Sequence, residues 1–197
     1  MADQVSDARL ILHSATPPDW LDRILASFDE FLKDHASCEK KASGMALSIA
    51  SHYPDRPALL NAMAELAVEE LSHYREVIRL LTRRGMQPGP DLRDDYVKGL
   101  NRLIRQEPFY LLDRLLIAAI IERRGHERFG MIAAALDPGP EQRFYASITL
   151  SEGRHFELFL NLAIDAHPQV DVQARLEALC ASEAELLAAQ PLAPKLH

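Results

Sequence analysis

From Leu21 the inward-type positions advance by alternating steps of four and three, through Leu25, Phe28, Leu32, His35, Glu39, Ala42, Ala46 and Ile49. A mean step near 3.5 residues is the mark of one buried stripe on an α-helix. Thr16-Pro17-Pro18-Asp19 supplies the start, with an N-cap, proline in the first turn and an acid at the positive end of the helix dipole. Tyr53-Pro54 stops it, which predicts helix A over about 17–52. Pro57 opens helix B, about 57–84, with the stripe Leu59, Met63, Leu66, Glu70, His73, Val77 and Leu80. Gly85 is its expected left-handed cap. Pro108 opens helix C, about 108–136, with Leu111, Leu115, Ala118, Glu122, Gly125, Phe129, Ile132 and Leu136. After Asp137-Pro138-Gly139-Pro140, helix D (about 140–166) carries Glu141, Tyr145, Ile148, Glu152, His155, Phe159 and Leu162.

The connections set the topology. A and B are joined by a few residues, as are C and D, so each pair runs antiparallel. Residues 86–107 are too many for a turn and leave room for a short helix between Asp91 and Arg105; a crossover of that length lets B and C run parallel. The predicted fold is therefore all-α, a ferritin-like four-helix bundle with a long B–C crossover, in a single domain over 1–197. A further helix at about 171–189 reads as a C-terminal appendage, and the closing "QPLAPKLH" as a loose tail.

Composition narrows the class. Hydrophobic residues make up 48% of the 197, with Ala and Leu foremost, enough for a helical core. The acidic start "MADQVSDARLILHS" carries no secretory pattern, and no stretch nears the ~20 apolar residues of a membrane span. Cys38 and Cys180 form no ligand or disulfide spacing, so the expectation is a cytoplasmic protein with free thiols and no membrane partner. The net charge of −7 is unevenly spread: Arg75 to Arg128 carries +4 and the rest −11.

The polar interruptions of the stripes carry the chemistry. "VEELSHYREV" holds Glu70-x-x-His73 and "LSEGRHFEL" holds Glu152-x-x-His155, while A and C are each interrupted by one carboxylate, Glu39 and Glu122. Either pair alone is weak. Together they are the donor set of a two-metal site in a bundle core, one Glu from each of two helices and Glu-x-x-His from each of the others. Each carboxylate stands about 13–15 residues from the same end of the bundle, roughly 20 Å at ~1.5 Å per residue. Residues at i and i+3 lie ~60° apart around the axis, so both side chains of each pair reach inward. Four carboxylates balance two divalent ions, and without metal four buried acids at one level would repel and desolvate.

Several residues keep two readings. His35, one turn before Glu39, is a second layer behind it or a core-edge histidine. Tyr145 lines the pocket or packs. His126 lies off the stripe among polar contacts. Gly125 and Gly153 leave room for a substrate chain or allow close helix packing. Arg83, Arg84, Arg93, Lys98, Arg102, Arg105, Arg123, Arg124 and Arg128 face phosphates or form a solvated surface.

"CEKKAS", "EELSHY", "IIERRGHERF" and "LSEGRHF" together resemble the tRNA 2-methylthio-isopentenyladenosine hydroxylases, the MiaE family, over about residues 10–190. The resemblance implies a non-haem di-iron monooxygenase that uses dioxygen and two external electrons to hydroxylate the isopentenyl group of a modified adenosine next to the tRNA anticodon. It maps Glu39, Glu70, His73, Glu122, Glu152 and His155 onto the iron ligands, with no catalytic residue beyond them. The implied partners are the tRNA anticodon loop and a separate reductase, since the chain shows no cysteine cluster, flavin fingerprint or haem motif. The alternatives are a di-iron oxygenase on another small or lipid-like substrate, and a ferritin-like iron-binding or storage protein.

Overall fold

A computed structural model describes residues 11–91 and 93–197. The acidic, non-secretory start read from the sequence falls largely on residues 1–10, outside the described residues, and Leu92 lies outside them as well. Among the described residues the structure is helical throughout: α1 (Pro18–Ala26), α2 (Phe28–His52), α3 (Pro57–Arg83), α4 (Asp95–Asn101), α5 (Tyr110–Ala135), α6 (Pro140–Ala166) and α7 (Val172–Ala189). None of these helices is long and apolar enough to cross a membrane. The chain groups into two compact units. One holds Pro17–Arg93 with Leu192–His197; the other holds Asp94–Pro191 with the described residues up to Thr16.

In the first unit α2 and α3 form an antiparallel hairpin. Glu39 faces His73 and the Ser43 hydroxyl donates to the Ala67 carbonyl at 2.9 Å, so the facing numbers fall on one helix as they rise on the other. Gly85 (φ 72°) closes α3 as predicted. Its N–H donates to the Thr82 carbonyl and that of Met86 to Leu81, which satisfies two carbonyls of the last turn. Helix A was expected as one helix over 17–52, and here the structure differs. The helix breaks at Ser27 (φ −139°, ψ 43°). The break turns Trp20 and Ile24 inward and leaves Leu25 exposed. Trp20 offers the larger apolar surface, and its indole N–H needs a partner once buried; the Lys195 carbonyl accepts it at 3.0 Å. That contact also corrects the loose tail. Leu196 is buried and its N–H donates to Asp34 at 2.8 Å, so the closing residues are pinned at both backbone and side chain.

In the second unit α5 and α6 form the matching antiparallel hairpin, with Phe129 against Tyr145 and Glu122 against His155. α5 is buried nearly all round, from Leu111 and Leu112 through Ile120 to Ile132. The reason is α7, which is no appendage. It runs parallel to α5, as Arg175 meets Asp113 and Glu183 meets Arg124, and it buries Leu176, Leu179 and Cys180. The short helix expected in the crossover is α4, capped by Asp94, whose carboxylate accepts from the Val97 N–H at 2.9 Å. It lies parallel to α7, with Tyr96 on Glu183 and Gly99 under Leu186. A Cβ on Gly99 would come within 2.8 Å of that leucine's Cδ2.

Candidate metal centre

In the α2–α3 hairpin three side chains converge. His73 Nδ1 lies 3.5 Å from Glu39 Oε2 and 3.5 Å from Glu70 Oε2. Both carboxylates are buried and the imidazole is largely so. Burial alone would push the imidazole down, but the two carboxylates beside it outweigh that and hold His73 up at about 10. Glu39 is also opposed by burial, yet it stays well below the usual carboxylate range. His35 contributes most to that, through charge and a hydrogen bond, with His73 and Glu70 adding to it. An ionised carboxylate only accepts, so His35 Nε2–H donates to Glu39 Oε1, at 2.6 Å. The fully buried ring stacks on Phe31, with centroids 5.7 Å apart.

The α5–α6 hairpin repeats the arrangement. His155 Nδ1 lies 3.4 Å from Glu122 Oε2 and 4.0 Å from Glu152 Oε1, and all three residues are buried. A Cβ on Gly125 would stand 2.9 Å from Glu152 Oε2, so the missing side chain is what gives that carboxylate its place. Gly153 faces the other way, where its Cβ would come 3.2 Å from His126 Nδ1. Of the two readings for these glycines, both serve close packing within the hairpin, and Gly125 makes room for a carboxylate.

These donor sets fit iron. All four separations are longer than good N–H···O bonds, which run 2.7–3.2 Å. Atoms bound to one ion at about 2.1 Å stand roughly 3.0–3.4 Å apart for right-angle to tetrahedral spread, close to three of the four separations, with His155 to Glu152 the longer one. Carboxylate oxygen with imidazole nitrogen, and no thiolate among them, suits iron or manganese.

The rest of the "ERRGHERF" block was not legible. Arg124 and Arg128, expected either to face phosphates or to form a solvated surface, are buried instead. Arg124 donates through Nε and Nη2 to the two oxygens of Glu183, each at 3.0 Å, and to the Ser14 carbonyl at 2.9 Å. Arg128 Nε donates to Thr16 Oγ1 at 3.2 Å, and burial together with neighbouring Arg124 pushes it down to about 10, still cationic at neutral pH. Tyr96 donates to Glu183 at 2.8 Å, and Thr16 donates from both backbone and side chain to Glu127. Partners up to 112 residues apart leave no local signal. His35 did leave one, four residues before Glu39 on the same stripe. Arg105, itself partly exposed, donates to the buried Asp113, with Arg175 on the same carboxylate. Cys180 sits beside this network, its thiol pushed up to about 12 by burial and by Glu183 and Glu177.

Comparison with known proteins gives a consistent result. The family model described as tRNA-(MS(2)IO(6)A)-hydroxylase (MiaE) matches residues 3–197. A tRNA 2-(methylsulfanyl)-N(6)-isopentenyladenosine(37) hydroxylase of Pseudomonas putida is 39% identical over 173 residues, covering 87% of this chain and 84% of that protein. The like-named protein of Salmonella typhimurium is 28% identical, covering 89% and 83%. Among solved structures, a Synechococcus protein with aldehyde deformylating oxygenase activity superposes with a TM-score of 0.87 at 36% identity, over 96% of each chain. The fold class is accordingly all-α and ferritin-like.

Proposed function

The chain belongs to the MiaE family of tRNA hydroxylases, and from that premise we propose how its residues carry the reaction. It is an iron- and oxygen-using enzyme that hydroxylates the isopentenyl group of 2-methylthio-isopentenyladenosine next to the tRNA anticodon. The overall change is C–H plus dioxygen, two electrons and two protons to C–OH plus water. Each hairpin contributes a Glu and a Glu-x-x-His, and the six residues Glu39, Glu70, His73, Glu122, Glu152 and His155 hold two iron ions. When bound, the metal supplies the activation of dioxygen that no side chain can perform.

The chain's own groups do the rest. Four carboxylates balance the charge of two divalent ions, and the two imidazoles add neutral donors. His35 holds one oxygen of Glu39, which directs the other toward His73. Buried apolar neighbours along the same stripes, Met63 and Val77 in one hairpin and Phe129 and Phe159 in the other, keep water from the ligands. The electrons come from a separate reductase, and the setting is the cytoplasm.

The observation that carries the ligand assignment is the recurrence of one buried carboxylate–imidazole cluster in both hairpins. A second reading, an oxygenase acting on a small apolar substrate, is favoured by the 36% identity to the aldehyde deformylating oxygenase. Mass analysis of nucleosides from tRNA of cells with and without the protein separates the two. Hydroxylated isopentenyl-adenosine that depends on the protein supports the tRNA substrate; its level unchanged by deletion defeats it. Iron near zero in protein grown with iron would remove the metal site itself.

A further inference from the structure

The "ERRGHERF" block divides three ways around α5. Glu122, Gly125 and Phe129 face the inward stripe of α6, and Arg124, Glu127 and Arg128 enter the buried network. Arg123 and His126 do neither. They border an open groove of about 680 Å³ whose other wall is the outer face of α6, with Leu150, Arg154, Phe156 and Asn161. Phe156 is the platform of this groove. The Arg123 guanidinium carbon lies 5.5 Å from its ring centroid, and the His126 ring meets its edge at 6.1 Å and 71°. His126 is fixed in place, since a carbonyl only accepts and His126 Nδ1–H donates to that of Thr149 at 2.8 Å. Leu150 is 67% exposed, an apolar surface left open beside the aromatic ring. Among the described residues that line it, Glu157 is the acid and Arg123 and Arg154 are the cations.

We propose that this groove docks a nucleotide of the single-stranded anticodon loop of tRNA, with the base against Phe156 and Leu150 and the neighbouring phosphates on Arg123 and Arg154. The inference rests on the tRNA reading and adds to it a surface outside the metal ligands. A volume of this size accepts a nucleotide. Single-stranded RNA is bound by aromatic faces that take any base and by guanidinium groups that stack or pair with phosphate. The local cationic excess stands out on a chain of net charge −7. A wholly apolar partner would make no use of the two guanidinium groups, and a free anion would leave the aromatic platform unused.

The test is fluorescence anisotropy with a labelled anticodon stem–loop RNA, titrated with iron-loaded protein across a salt series. Phe156→Ala should weaken binding roughly 5- to 150-fold, the range for loss of one stacked base, while Phe156→Trp should keep it. Arg123→Ala with Arg154→Ala should weaken binding and lower the slope of log K against log salt by about 1.4 for two single-strand phosphate contacts. Arg75→Ala with Arg79→Ala, on the exposed face of α3, serves as control and should change neither by as much. If the unaltered protein binds RNA and the groove variants bind within twofold of it at an unchanged salt slope, the groove assignment is overturned and the tRNA reading stands. If the unaltered protein binds no RNA, the tRNA reading itself fails and the groove assignment goes with it.

Discussion

His35 Nε2 lies 2.6 Å from Glu39 Oε1, one turn away on the same helix, and the imidazole is fully buried. The equivalent position in the α5–α6 hairpin, one turn before Glu122, holds Ala118, which has no group to donate. The two clusters are thus alike in donors and unlike in support. Outer hydrogen bonds of this kind typically contribute 10- to 100-fold in metal affinity. His35→Ala should therefore weaken one of two iron-binding events by about that factor and split the titration into two phases. His35→Gln, which keeps an N–H donor, should recover most of it. A titration that remains a single phase of unchanged affinity in His35→Ala would refute the positioning role.

Gly125→Ala sets two effects against each other. Alanine in a helix interior is better than glycine by roughly 0.8–1 kcal/mol, so stability without metal should hold or rise. The new methyl, however, would stand 2.9 Å from Glu152 Oε2 and displace the carboxylate. The expected outcome is an equal or higher melting temperature after chelation together with weaker iron binding. Iron affinity equal to that of the unaltered protein would show that Glu152 does not need the space.

Glu183→Ala should be the most destabilising single change away from the ligands. Glu183 is fully buried and receives Arg124 and Tyr96. Removing one partner of a buried ion pair leaves the other charge uncompensated, at a cost of about 3–5 kcal/mol. For a chain of this size that lowers the melting temperature by roughly 6–20 °C. A loss under 2 °C would mean that Arg124 finds water or another acid at once.

Asp113 gives the chain an acid limit. Burial works against its charge, but hydrogen bonds from Arg105 and Arg175 outweigh it and hold the carboxyl at about 2, below its ordinary 3.8. A depressed acid stabilises the fold fully above its unfolded value, and the contribution is lost as pH falls toward the folded one. Asp113→Asn should accordingly be less stable than the unaltered protein at pH 5–7, and the gap in urea midpoint should close as pH drops from about 4 toward 2. A gap that stays constant over that range would assign the loss to packing.

The sequence by itself determined the helices and the candidate donors, because both are written in local periodicity. A step of four and three places Glu39, Glu70 and His73 on inward stripes whatever the tertiary detail, and proline and glycine mark the ends within a residue or two, as Gly85 does through its positive φ. Tertiary structure decided what is set by partners far apart in the chain. Trp20 and Ile24 took the inward places, leaving Leu21 half-buried and Leu25 exposed, because the Trp20 indole N–H meets the Lys195 carbonyl. Arg124 went inside because Glu183, 59 residues on, was there to neutralise it. A charged residue reads as surface unless its counter-charge is known, and burial of an ion pair depends on two positions that no periodic pattern links. Arg123 and Arg124 are neighbours in sequence and point to opposite fates, one at an open groove and one in the core, since successive residues on a helix are turned by 100° and only the packing around α5 says which directions are covered.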